Sequence, residues 1–234
     1  MPRNLESFQR NPEEPFDKKE GKFKEMLKEE SVERFNRTEQ AVFFQIDHLI
    51  QDKKWDEAIA ETLKIESEET RSHYLTYKIM RAQLAIGAFD GAKQLTGKLD
   101  DKISRVSSLR YIGSAQAERG LIDEAKETAE ELKSESGKED GYLAEVYKYI
   151  AIAEAERGQI ESAKKYAALI EKINGHGEDS VYKAIVKAEL NAGLLDDAKR
   201  TAKEIFGSKE RNNIDFKIRD AEEKAKKLRR GPYR

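Results

Sequence analysis

Ala115-Gln116-Ala117-Glu118-Arg119-Gly120 and Ala153-Glu154-Ala155-Glu156-Arg157-Gly158 are nearly one hexapeptide written twice, 38 residues apart. Each ends on glycine, which closes a helix in a left-handed backbone without a Cβ penalty. Working outward from these two glycines reveals a register with a bulky residue two positions on, alanine five on and a large aliphatic twelve on. It occurs five times, with Lys53, Gly87, Gly120, Gly158 and Gly193 at the turn. Trp55, Phe89, Ile122, Ile160 and Leu195 follow, then Ala58, Ala92, Ala125, Ala163 and Ala198, then Ile65, Leu99, Leu132, Ile170 and Ile205. The turns lie 34, 33, 38 and 35 residues apart. A period of that length marks stacked helix hairpins, each burying its apolar face against its neighbours.

Upstream of the glycine turns, isoleucine stands eight positions back (Ile79, Ile112, Ile150, Ile185) and alanine five back (Ala82, Ala115, Ala153, Ala188). Steps of three and four place such residues on one side of a helix. The spacing therefore predicts an all-α chain: a solenoid of about five antiparallel helix hairpins over residues 20–210. A lead-in over residues 1–19 holds three of the four prolines and too little apolar material to order. An amphipathic capping helix and basic tail are expected over 211–234, with Ile214, Ile218, Ala221, Ala225 and Leu228 as its stripe. Self-association through that stripe is the alternative to capping. Residues 134–141 and 174–179 have loop composition.

Over residues 38–208 this pattern resembles the tetratricopeptide repeat superfamily, and Sel1-like and other helical repeats share its general form. The resemblance implies a right-handed superhelix whose first helices line a concave, partner-binding face. Two departures stand out. The family's proline seventeen past the turn is replaced by Thr70, Ser104, Gly137, Gly175 and Glu210, and its aromatic nine past the turn by Thr62, Thr96, Ala129, Ala167 and Ala202. Smaller residues there imply closer helix packing.

Charged residues make up 38% of the chain and the net charge is −2, but residues 199–234 carry 13 Lys/Arg against 6 Asp/Glu. The remaining 198 residues hold 31 bases and 40 acids, a balance of −9. There is no cysteine, hence no disulfide, thiolate metal site or thiol nucleophile. The first residues show no apolar run of signal-peptide length, and no long apolar stretch follows, so the expectation is a cytoplasmic protein without membrane contact.

By the resemblance, residues ten and six before each turn face the groove: Phe43 and Asp47, Tyr77 and Arg81, Arg110 and Ser114, Lys148 and Ile152, Lys183 and Lys187. Tyr77, Arg81, Arg110, Lys148, Lys183 and Lys187 are the candidate partner-binding residues, a basic ladder suited to an acidic protein or peptide segment. The alternative reading is a nucleic-acid-associated protein using Lys224, Lys226, Lys227, Arg229 and Arg230, with Tyr233 beside them. Glu118 and Glu156 are paired carboxylates with no nucleophile nearby, so no catalysis is expected. His48, His73 and His176 have no metal-ligand spacing and are expected as a packing residue, a surface residue and a loop residue. No phosphate loop or other cofactor motif occurs.

Overall fold

The computed structural model describes residues 37–136 and 141–230. The expected lead-in over residues 1–19, the loop residues 137–140 and the tail residues 231–234 lie outside them. Among the described residues every regular element is helical. The elements are α1 (Arg37–Gln51), α2 (Trp55–Thr62), α3 (residues 68–86), α4 (Phe89–Thr96), α5 (Lys102–Glu118) and α6 (Ile122–Ser136). They continue with α7 (Gly141–Glu156), α8 (Ile160–Asn174), α9 (Asp179–Asn191), α10 (Leu195–Ala202) and α11 (Ser208–Arg230).

The described residues fall into two compact units, divided between Glu61 and Thr62. In the second, each helix from α3 onward packs on the next, and α3, α5, α7, α9 and α11 also touch in succession. In this unit α3, α5, α7, α9 and α11 thus form one layer and α4, α6, α8 and α10 lie against it.

The turns carry the register. Backbone φ is positive at Lys53 (59°), Gly87 (80°), Gly120 (76°), Gly158 (77°) and Gly193 (75°), and Lys53 is the one described non-glycine residue with this conformation. Each turn makes the same two helix-ending hydrogen bonds. The turn N–H reaches the carbonyl three residues back (Gly120 to Ala117, 2.9 Å), and the next N–H reaches five back (Leu121 to Gln116, 2.9 Å). Together they satisfy carbonyls that a helix end would leave open. The register alanine then donates to the residue after the turn, as Ala125 does to Leu121 at 2.9 Å, which starts the second helix. Ala58, Ala92, Ala125, Ala163 and Ala198 are all 0% exposed. No room exists there for a larger side chain. The positions nine past the turn are also buried, at Thr62, Thr96, Ala129, Ala167 and Ala202. Gly113 in α5 lets helices approach in the same way, because a Cβ there would meet Val146 Cγ1 of α7 at 2.9 Å.

Two of the missing prolines have a physical cause. Seventeen past the turn, the N–H of Thr70 donates to the Ser67 hydroxyl and that of Ser104 to the Asp101 carboxylate at 2.7 Å, so these positions need a donor that proline lacks. Where the second helix stops short, in α2, α4 and α10, an arginine eighteen past the turn takes up the carbonyl twelve past it. Arg71 reaches Ile65 O at 2.8 Å, Arg105 reaches Leu99 O at 3.1 Å and Arg211 reaches Ile205 O at 2.8 Å. Arg105→Met is expected to cost ~1.5–3 kcal/mol, the range for a hydrogen bond to a charged group, measured by denaturant unfolding.

One expectation is corrected. Residues 134–136 are not loop but the last turn of α6, where the Ser136 hydroxyl donates to Leu132 O at 2.8 Å, and Gly141 already opens α7. On the stripe of α11, Ile214 and Ile218 are buried in the chain's own core. The Leu228 side chain lies outside the described residues.

Candidate functional site

The odd-helix layer of the second unit carries two groups of chemistry-bearing side chains. The first is aromatic and begins in α3. Its N-cap Ser67 stands 20 residues before Gly87, whereas Asp101 of α5 stands 19 before Gly120. The extra residue is absorbed by a π-helical stretch, Tyr74–Met80, between the α-helical segments Glu68–His73 and Arg81–Ile86. Single insertions of this kind are accommodated by such widened turns, often at functional sites. It keeps Ile79 in register and buried while Tyr77 stays 41% exposed.

Around Tyr77 the rings form a chain. Its ring stacks on His73 at 5.1 Å and meets Tyr111 edge-on at 5.9 Å. The Arg110 guanidinium lies 4.0 Å from the Tyr111 centroid and 5.1 Å from that of Tyr142, while its Nη1 donates to Glu145 of α7 at 2.8 Å. Burial pushes the Tyr111 hydroxyl well above the usual phenol range. His73 is half-buried rather than a surface residue, and burial, reinforced by the Lys78 ammonium, lowers it from 6.5 to about 4.

His73 therefore stays neutral in the fold where the unfolded chain takes up a proton. Below pH ~6.5 the unfolded state binds more protons, so this residue makes stability fall as pH drops from 6.5 towards 4. At ~1.4 kcal/mol per pH unit the effect is ~3 kcal/mol across the window. His73→Phe keeps a ring against Tyr77, and pH-dependent melting curves should lose that slope.

Of the sequence-predicted groove residues, Tyr77, Arg110 and Lys148 belong to this layer, with Lys148 5.3 Å from the Tyr149 ring. Arg81 is half-buried on α3, and Ile152 is half-buried on α7. Arg110 is committed to Glu145, and only 12% of its side chain is exposed. Ser114 is buried rather than available to a partner. Phe43 and Asp47 belong to the first unit and are half-buried there. Lys183 and Lys187 stand apart, in a cleft between α9 and α11.

Sequence reasoning missed a ladder of buried carboxylates. Four before their turns, Glu154 and Glu189 are buried, and each receives a lysine six past the preceding turn: Lys126 at 2.6 Å and Lys164 at 2.7 Å. Lys199 continues the series to Glu222 of α11, and Lys93 pairs with Glu131 at 3.3 Å. The arginines of the two hexapeptides do related work: Arg119 donates to Ala85 O and Arg157 to Gly120 O, tying each turn to the one before. The recurring lysine and the acid four before the Gly158 and Gly193 turns were both visible, but that they meet across units is shown only by the packing.

Glu118 and Glu156 are exposed. His48 is exposed too, its Nδ1 2.9 Å from Phe44 O and its ring against Phe44, and His176 lies in the α8–α9 connection. On the basic tail, Lys224 pairs with Asp220 at 2.6 Å and Lys226 and Lys227 are exposed. The side chains of Arg229 and Arg230, and all of Tyr233, lie outside the described residues. Among the described residues no three His, Asp or Glu side chains come together as a metal site, and no helix is long and apolar enough to cross a membrane. No family model matches the chain, and no curated protein matches it.

Proposed function

We propose that this chain is a tetratricopeptide-like α-solenoid of about five hairpins closed by α11, and that it acts as a non-enzymatic protein-interaction scaffold. A partner segment lies along the odd-helix face. The observation that carries this reading is the division of labour along the register. One set of positions, the turns and the fully buried alanines, is spent on packing in all five repeats. The first-helix positions that packing leaves open vary from repeat to repeat, and in the second unit they hold Tyr77, Lys148, Lys183 and Lys187. A surface whose framework repeats while its side chains change is suited to reading an extended polypeptide.

The test is photo-crosslinking in the source cell, with a photoreactive residue at Tyr77, Lys148 or Lys187 and control positions at Glu127 and Lys165 on the even helices. The reading expects one defined polypeptide crosslinked from the odd-helix positions, unaffected by nuclease. Crosslinks from the even helices alone, or crosslinks abolished by nuclease, contradict it. Nuclease sensitivity would instead favour the basic stretch of α11.

A further inference from the structure

The second group on the odd-helix layer is a cleft of about 550 Å³ between α9 and α11. Lys183 and Lys187 line it from α9, and Lys209 and Lys217 from α11. None of the four has an ion-pair or hydrogen-bond partner among the described residues, whereas Lys93, Lys126, Lys164 and Lys199 each hold a carboxylate. In a chain with 46 acids for 44 bases, four unneutralised ammonium groups around one opening are a local excess of charge. Glu210 is the lone carboxylate on the lining, which leaves four minus one, or +3. The floor is aliphatic, formed by Ala184, Leu190 and Ile214.

From this geometry we infer that the cleft is the docking site for an acidic segment of a partner polypeptide that carries aliphatic side chains among its carboxylates. The inference rests on the scaffold reading above and names the partner chemistry at one end of the face. Carboxylates neutralise the lysines, and an aliphatic residue covers the floor. α11 is then more than a cap, because it supplies the second wall and half of the cations. Nucleic acid fits less well. No aromatic lines the cleft for bases to stack on. A short acidic segment matches the local positive field of the four lysines.

The experiment is fluorescence anisotropy on the full chain with three probes: a labelled peptide of glutamates interrupted by leucine at every third or fourth position, its counterpart with lysine for glutamate, and a thymidine oligonucleotide. The protein is compared with a variant carrying Lys183→Glu, Lys187→Glu, Lys209→Glu and Lys217→Glu, and with one carrying arginine at the same four positions. Thermal melts establish that both variants are folded. The acidic peptide should bind the wild type and the arginine variant and bind the glutamate variant at least ~10-fold more weakly, as expected for several lost charge pairs. The basic peptide should not bind. Absence of acidic-peptide binding, equal affinity for the wild type and the glutamate variant, or tighter binding of the oligonucleotide through the same lysines overturns the inference. The two readings fail separately. A partner still crosslinked at Tyr77 in the glutamate variant, with no peptide binding, removes the cleft site and leaves the scaffold. Peptide binding lost on charge reversal, with a polypeptide crosslinked at Lys187 but none at Tyr77 or Lys148, does the reverse.

Discussion

Replacing Lys164 by methionine is expected to lower stability by ~3 kcal/mol, the lower end of what breaking a buried ion pair costs. Glu189 is 0% exposed, and its Oε1 has two neighbours, Lys164 Nζ at 2.7 Å and the Thr201 hydroxyl at 3.1 Å. Its Oε2 has no partner among the described residues. Without the lysine, a carboxylate remains in the core with one hydroxyl to hold it. Lys164 itself is about one-third open to water, at 35%, which is why the low end applies.

The pH dependence has a definite sign. Burial pulls the Lys164 ammonium down, but the hydrogen bond and charge of Glu189 outweigh it and hold the group above its usual value. A raised folded pKa contributes stability that is complete below the unfolded pKa, ~10.4, and is lost as pH climbs through the folded one. The wild type should therefore lose this contribution only in the alkaline range. Guanidinium unfolding of the wild type at pH 7.5 and at about pH 11 measures that loss, and unfolding of Lys164→Met at pH 7.5 measures the cost of the missing partner. The double variant Lys164→Met/Glu189→Met should recover most of the loss, because an apolar pair of similar volume replaces the ion pair without an orphaned charge.

Ala163→Leu is the second large effect expected, ~1–3 kcal/mol from overpacking. Ala163 is 0% exposed where α8 enters the core, like its four counterparts. Leucine there must displace a neighbouring helix. For a chain of this size the melting temperature should fall by roughly 2–10 °C. Ala153→Leu is the matched control, since Ala153 is half-buried and its extra atoms can turn to solvent. An unchanged melting temperature for Ala163→Leu would contradict the register.

What was legible follows from how few residues can satisfy a position. A left-handed turn favours glycine and a fully buried close approach needs alanine, so both were visible as letters recurring every 33 to 38 residues. Even Lys53, which breaks the glycine rule, adopts φ 59° because the register around it is intact. The features that escaped are those whose partner is fixed by packing between units. Lys126 finds Glu154 28 residues on, Lys164 finds Glu189 25 on and Lys199 finds Glu222 23 on. Both lysine and acid hold register positions, six past one turn and four before the next, but Gln83 and Gln116 fill the acid's place in earlier repeats, and only packing shows which letters meet. Arg110 read as a groove cation for the same reason: Glu145 and Tyr142, which occupy it, come from α7. His73 looked like a surface residue because the π-helical stretch that draws the nearby rings together leaves only one extra residue in the spacing. The lysine cleft was half visible, in Lys183 and Lys187. Its other wall depends on how α11 returns along α9, which the loop before Ser208 decides.

The most direct test of the scaffold reading is amide hydrogen exchange of the full chain with and without the polypeptide captured by crosslinking. The account predicts slowed exchange along residues 68–86, 102–118, 141–156 and 179–191 and at the α11 wall of the cleft, with α4, α6 and α8 unchanged. Protection confined to the even-numbered helices, or to the basic stretch after residue 223, would contradict it.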